Sequence, residues 1–273
     1  MIPFDDFGGA GPLLHFAHAN GYPPGAYAPL LEQLTPAYHV LAARARPLWP
    51  GSAPAGFQSW QPLTEDLIAF LDAHHARGLV GIGHSMGGVS TLDAALRRPE
   101  LFRALVLIDP VIFRQRFIWG WQILKTLGIG DRLHPLIPGT LRRRRVVPSV
   151  DEMFARYRRA PVFSRIDDRG LRAYTEALAR PRPDGQVELA YSPEWEAAIY
   201  RHGPLNLWGR MAALHLPLLV IYGAESDTFQ AAAVTKMAHR IPHASFVAVP
   251  AAGHLVPLER PQAVAEAIQA FLV

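Results

Sequence analysis

Apolar residues in this chain recur in short continuous runs, separated by longer stretches with three-to-four-residue spacing. Leu13-Leu14-His15-Phe16-Ala17, His39-Val40-Leu41-Ala42-Ala43, Leu79-Val80-Gly81-Ile82 and Ala104-Leu105-Val106-Leu107-Ile108 read as buried strands. Helical spacing is predicted over residues 27–34 and 60–76. In the second stretch Leu63, Leu67, Phe70 and Leu71 share one face. Helical spacing returns over residues 89–96 and stops at Pro99, which cannot extend a helix. The strand pattern resumes over residues 217–222 and 245–249, with helices predicted over about 229–240 and 261–272. Such alternation predicts an α/β protein with a mostly parallel central sheet flanked by helices.

Between about 111 and 213 the alternation stops. This block is rich in aromatic residues, Arg and Pro, and its candidate helices are 117–127, 150–158, 169–179 and 193–200. The return of the same sheet pattern afterwards makes the block an insertion between two strands. It is expected to form a mainly helical lid over the carboxyl edge of the sheet, where open α/β sheets bind ligands. The expected division is a core of residues 1–110 and 214–273 and a lid of residues 111–213.

Charge singles out the same block. Residues 111–213 hold 18 Lys and Arg against 10 Asp and Glu, while the rest holds 9 against 13. Arg142-Arg143-Arg144-Arg145 is the densest run. A solvated surface accounts for it; the alternative is attraction to an anionic substrate, a membrane surface or nucleic acid. No nucleic-acid-binding signature accompanies the charge, so no nucleic-acid partner is predicted. The chain has no cysteine, which excludes disulfides, thiolate catalysis and cysteine metal sites. Residues 1–6 show no basic and apolar leader pattern, and no apolar run approaches the ~20 residues of a membrane span. A cytoplasmic protein without stable membrane insertion is expected. His74-His75 lacks metal-site spacing, and no dinucleotide or P-loop glycine pattern is present, so neither metal nor cofactor is predicted.

Candidate chemistry centres on Gly83-His84-Ser85-Met86-Gly87-Gly88, where an apolar strand turns into a helix. The G-x-S-x-G pattern alone arises by chance in a chain this long roughly one time in ten. Its strand-turn-helix setting points to a nucleophile elbow, with the Ser85 hydroxyl pushed into a cleft. A serine needs a base and a carboxylate to orient that base. His254 follows the 245–249 strand through Pro250-Ala251-Ala252-Gly253, at the edge expected for Ser85, and is the predicted base. Asp227, after the strand ending at Tyr222, is the favoured acid; Asp109, after the strand following the elbow, is a competitor and Glu225 a third candidate. The backbone N–H groups of Met86 and Asn20 are the expected oxyanion donors. His18 is expected to brace the Asn20 loop, and His84 is read as structural. Tyr22, Phe113, Trp119, Tyr157, Trp195 and Phe229 are the candidate pocket residues, although most lid aromatics are expected to pack the lid onto the core.

With His18-Ala19-Asn20-Gly21, the Gly83–Gly88 elbow, Gly223 to Asp227, and Gly253-His254 followed by Glu259-Arg260-Pro261, the chain resembles capped α/β-hydrolase-fold proteins. Ala19 departs from the family's usual His-Gly pair in the first loop. The resemblance implies a serine hydrolase that cleaves an ester or related acyl bond of a small molecule with an apolar part. The alternatives are carbon–carbon bond hydrolysis and a non-catalytic small-molecule receptor on the same fold. Ser85 argues against the family's dehalogenases and epoxide hydrolases, which use an aspartate nucleophile.

Overall fold

The computed structural model describes the chain except residue 114 and the side chains of residues 115–119 and 122. Five strands precede the insertion: β1 (Phe4–Gly8), β2 (Leu13–Ala17), β3 (His39–Ala43), β4 (Leu79–His84) and β5 (Phe102–Ile108). Among the described residues, three short strands lie within it: β6 (Val146–Val147), β7 (Ala179–Pro181) and β8 (Val187–Leu189). Two follow it: β9 (Leu218–Gly223) and β10 (Ser245–Val249). The central sheet runs β1-β3-β2-β4-β5-β9-β10. All its pairings are parallel except the antiparallel edge pair β1–β3.

β4 is buried at every position and β5 at all but Arg103, because helices cover both faces of the middle of the sheet. The Gln61–Ala73 helix turns Leu63, Thr64, Leu67, Phe70 and Leu71 inward, close to the face that the sequence predicts. The register aligns the strand ends. Gly83 pairs with Leu107, His84 with Ile108, Ile108 with Ile221, and Gly223 with Val249. The loops carrying Ser85, Asp109, residues 224–228 and His254 therefore leave the sheet at one edge.

Two features depart from the sequence-based expectation. β1 is an edge strand of partly buried Phe-Asp-Asp-Phe-Gly, whose acids are held by side chains of its neighbours: Arg44 Nε donates to Asp5 at 3.0 Å, and Asp6 pairs with His39 at 2.9 Å. Polar residues at an edge erase the apolar signal of a strand. Residues 111–213 also contain the antiparallel sheet β6-β8-β7, whose strands of two and three residues are too short to show a period. The helices of this block, Gln115–Thr126, Val150–Arg158, Asp168–Leu178 and Pro193–His202, fall on the predicted segments within two residues at either end.

Candidate active site

Ser85 sits between β4 and the Met86–Arg97 helix at φ 54° and ψ −115°, a conformation that costs a non-glycine residue free energy. Its surroundings impose it. A Cβ on Gly83 would lie 2.4 Å from Gly87 O, and one on Gly87 would lie 2.1 Å from Ala17 O. Only glycine lets strand, turn and helix approach so closely. The Ser85 N–H donates to Ile108 O at 3.0 Å and locks the turn onto β5. The Met86 N–H opens the helix and has no intrahelical acceptor.

The loop after β2 is fastened on two sides. His18 Nδ1 donates to Ala19 O at 2.8 Å, and His18 Nε2 accepts from Ala45 N–H at 3.0 Å. Asn20 is held by the inserted block: its Nδ2 donates to Glu196 O at 3.1 Å, and Tyr191 Oη donates to its Oδ1 at 2.8 Å. Glu196 is buried and its carboxylate receives Arg143, which also donates to Tyr157 Oη at 2.9 Å. Part of the arginine run thus braces the block against the sheet's carboxyl edge. Many other arginines of the block are paired at the surface, including Arg172 with Asp151 and Arg201 with Asp131.

His254 Nε2 lies 3.0 Å from Ser85 Oγ, and His254 Nδ1 lies 2.8 Å from Asp109 Oδ1. The acid beside the histidine is therefore Asp109 and not Asp227. Asp109 is fully buried at φ 41°, and it also accepts from Gly223 N–H at 3.0 Å and Ser226 Oγ at 2.7 Å. Asp227 is exposed, and its carboxylate accepts from its neighbour Thr228 Oγ1 at 3.2 Å. The turn after β9 decides this. Its Ser226 N–H returns to Gly223 O, so Ser226 faces the site and Asp227, one residue on, faces solvent. Glu225 is exposed and pairs with Arg165. The loop before His254 is held by Glu259, which accepts from Gly253 N–H at 2.7 Å, and by Arg260, which donates to Ala251 O at 2.9 Å.

His84 joins the two halves of the site. Its Nε2 lies 2.9 Å from His254 O, and a carbonyl only accepts, so the proton sits on Nε2. Burial holds His84 well below the usual histidine range, so the ring is neutral and Nδ1 accepts from Tyr27 Oη at 2.8 Å. Tyr27 Oη in turn accepts from Ala19 N–H at 3.1 Å. This chain ties the residue beside Asn20 to the backbone of His254. Tyr27→Phe leaves two buried polar groups unpaired. It is expected to cost about 1–3 kcal/mol of stability and about tenfold in kcat at little change in KM, read by denaturant titration and steady-state kinetics.

The candidate pocket residues separate in their placement. Tyr22 stacks on Tyr174 at 4.9 Å, and Tyr157 on the same ring at 5.8 Å. Trp195 is buried against Phe57, and Phe229 is buried against Tyr222, so both serve packing. Phe113 is partly buried, and its carbonyl accepts from Trp208 Nε1 at 2.8 Å. The Trp119 side chain lies outside the described residues. Sequence reasoning missed Tyr27, Ser226, Tyr191, Glu196 and Arg143 as parts of the site's frame, because long-range partners leave no local pattern.

Residues 16–267 match the model of the alpha/beta hydrolase family. An uncharacterized hydrolase YugF of Bacillus subtilis is 28% identical over 219 residues, covering 78% of this chain and 72% of the relative. A pimeloyl-[acyl-carrier protein] methyl ester esterase of Xanthomonas campestris is 27% identical over 272 residues, covering 97% and 96%. Among solved structures, an E-2-(acetamidomethylene)succinate hydrolase superposes with a TM-score of 0.80 at 21% identity, covering 98% of this chain and 94% of that one.

Proposed function

The chain belongs to the α/β-hydrolase family, and from that premise we propose that it is a serine hydrolase cleaving an ester or related acyl bond of a small molecule. The observation that carries this reading is the unbroken chain Ser85 Oγ, His254 Nε2, His254 Nδ1, Asp109 Oδ1, with links of 3.0 and 2.8 Å. Ser85 Oγ attacks the acyl carbonyl while His254 Nε2 takes its proton. Asp109 accepts a hydrogen bond from Nδ1–H, fixes the tautomer and stabilises the imidazolium. The Met86 and Asn20 N–H groups receive the developing oxyanion. Collapse expels the leaving group with the proton from His254 and leaves an acyl-Ser85. Water then attacks this ester, giving a proton to His254; the bond to Ser85 Oγ breaks as His254 returns that proton to it, and the carboxylic acid departs. Residues 111–213 act as the lid, and Tyr22 and Tyr157, which stack on Tyr174, are assigned to the pocket wall. The methyl ester esterase relative is compatible with an ester substrate.

The test is labelling with a fluorophosphonate, which requires an activated serine, together with hydrolysis of a p-nitrophenyl ester series. Ser85→Ala is expected to abolish labelling and to lower kcat by about 10⁶-fold with the fold intact by circular dichroism. Labelling that persists in this variant assigns the nucleophile elsewhere. Intact Ser85 that neither labels nor turns over any ester favours the receptor reading.

A further inference from the structure

Large apolar side chains rarely face solvent in this molecule, with one concentration. Among the described residues, apart from the chain ends, six of the seven exposed ones lie within one stretch: Ile123, Leu127, Ile129, Leu133, Leu136 and Leu141. They stand on the end of the Gln115–Thr126 helix, on the turn after it, and on the short helices Gly130–Leu133 and Ile137–Leu141 and the link between them, and these helices pack on one another in succession. The same stretch is cationic. From Ile123 to Arg145 the sequence has six Lys and Arg and one acid, Asp131, which Arg201 already holds. Arg132 and Arg142 are exposed and form no ion pair among the described residues, and Arg144 reaches Glu152 only at 3.8 Å.

We propose that this face docks on an anionic lipid surface. Leucine and isoleucine side chains left in water gain by entering an acyl layer, and a fluid layer accepts them without a matched shape. The arginines at their rim meet the phosphates of the headgroups. Charge disfavours a second copy of this chain as the occupant, because a two-fold contact sets the same cations against each other. Docking is peripheral: no helix among the described residues is long and apolar enough to cross a membrane. The face is also joined to the site. Trp121 Nε1 donates to Arg201 O at 3.0 Å, and Arg201 lies on the Pro193–His202 helix, whose Glu196 holds Asn20.

Flotation with vesicles of phosphatidylcholine alone, or mixed with phosphatidylglycerol, tests the proposal. Binding to the mixed vesicles is expected to be at least about tenfold tighter than to neutral ones, and to weaken as salt rises. Ile123, Leu127 and Leu133 are 61%, 64% and 60% exposed, so replacing all three with serine leaves the core untouched. The triple variant is expected to lose about tenfold in partitioning. Arg142→Glu is expected to remove most of the preference for anionic vesicles, and Arg240→Glu, with the same change of charge at an exposed position outside the stretch, to leave it nearly intact. Absence of binding to mixed vesicles overturns the proposal, as do equal losses from the two arginine variants. A dimer abolished by the triple variant, without vesicle binding, assigns the face to a second copy, and binding only to an acidic protein assigns it to that partner. Binding is read without turnover, so its outcome stands apart from the hydrolase reading.

Discussion

Asp109→Asn is expected to lower kcat about 10⁴-fold, while Asp227→Asn leaves it within about twofold. Asp109 is fully buried and accepts from three donors: His254 Nδ1, Ser226 Oγ and Gly223 N–H. An asparagine offers one oxygen and one NH₂ where two accepting oxygens are needed. Its amide keeps the Gly223 contact only by turning N–H groups toward Ser226 and His254. The imidazole then carries its proton on Nε2, facing Ser85, and cannot act as base; its protonated form also loses the neighbouring negative charge. Asp227 is exposed and its carboxylate accepts from Thr228, so an amide there changes nothing near the histidine. Kinetics of the two variants on one p-nitrophenyl ester, with circular dichroism to confirm folding, make the comparison. Equal losses from the two substitutions count against the assignment of Asp109.

A second large effect is expected in the pH dependence of stability. Burial lowers the pKa of His15 to about 3 and of His18 to about 4, and places His84 well below the ordinary range. The hydrogen bonds agree with neutral rings. His15 Nε2 accepts from Ala43 N–H and His18 Nε2 from Ala45 N–H, so a proton at either nitrogen meets a donor. In the unfolded chain these histidines titrate near pH 6.5. Their folded pKa values are depressed, so below about pH 6.5 the unfolded state binds protons that the folded state does not. The stability is therefore fully present above that pH and is lost as pH falls toward 4. Each histidine costs about 1.4 kcal/mol per pH unit once its unfolded form is protonated, or about 2 kcal/mol between pH 8 and pH 5. Three together approach the whole stability of an ordinary domain, about 5–15 kcal/mol. Urea titrations at pH 8, 6 and 5 are expected to show uptake of about three protons on unfolding at the acid end. Uptake below one proton overturns the buried-neutral description.

The placement of these histidines gives the pH effect a functional side. His18 fixes the Asn20 loop and His84 anchors the backbone of His254, so two of the neutral rings that set the acid stability also hold the two halves of the site. Loss of activity and loss of stability on acidification are expected to run together below about pH 5.

The elements that were legible in the chain are those whose cause is local. A strand buried on both faces must be a continuous apolar run, and β2 and β3 fall on the segments read from that rule alone. The elbow is local for a different reason: a turn this tight admits only glycine at positions 83 and 87, and those glycines stand in the sequence. The edge strand β1 and the short strands of residues 111–213 were not legible, since their partners and not their own side chains hold them. The choice of acid also lay beyond the chain. Asp109 and Asp227 share one local signature, an acid just past an apolar strand, and nothing within either segment ranks them. Tertiary structure separates them through the side-by-side order of β4, β5 and β9 and a turn in which Ser226 faces inward. Periodicity records which residues leave water. Which side chains then meet depends on contacts between residues far apart in the chain, such as the 145 residues that separate Asp109 from His254.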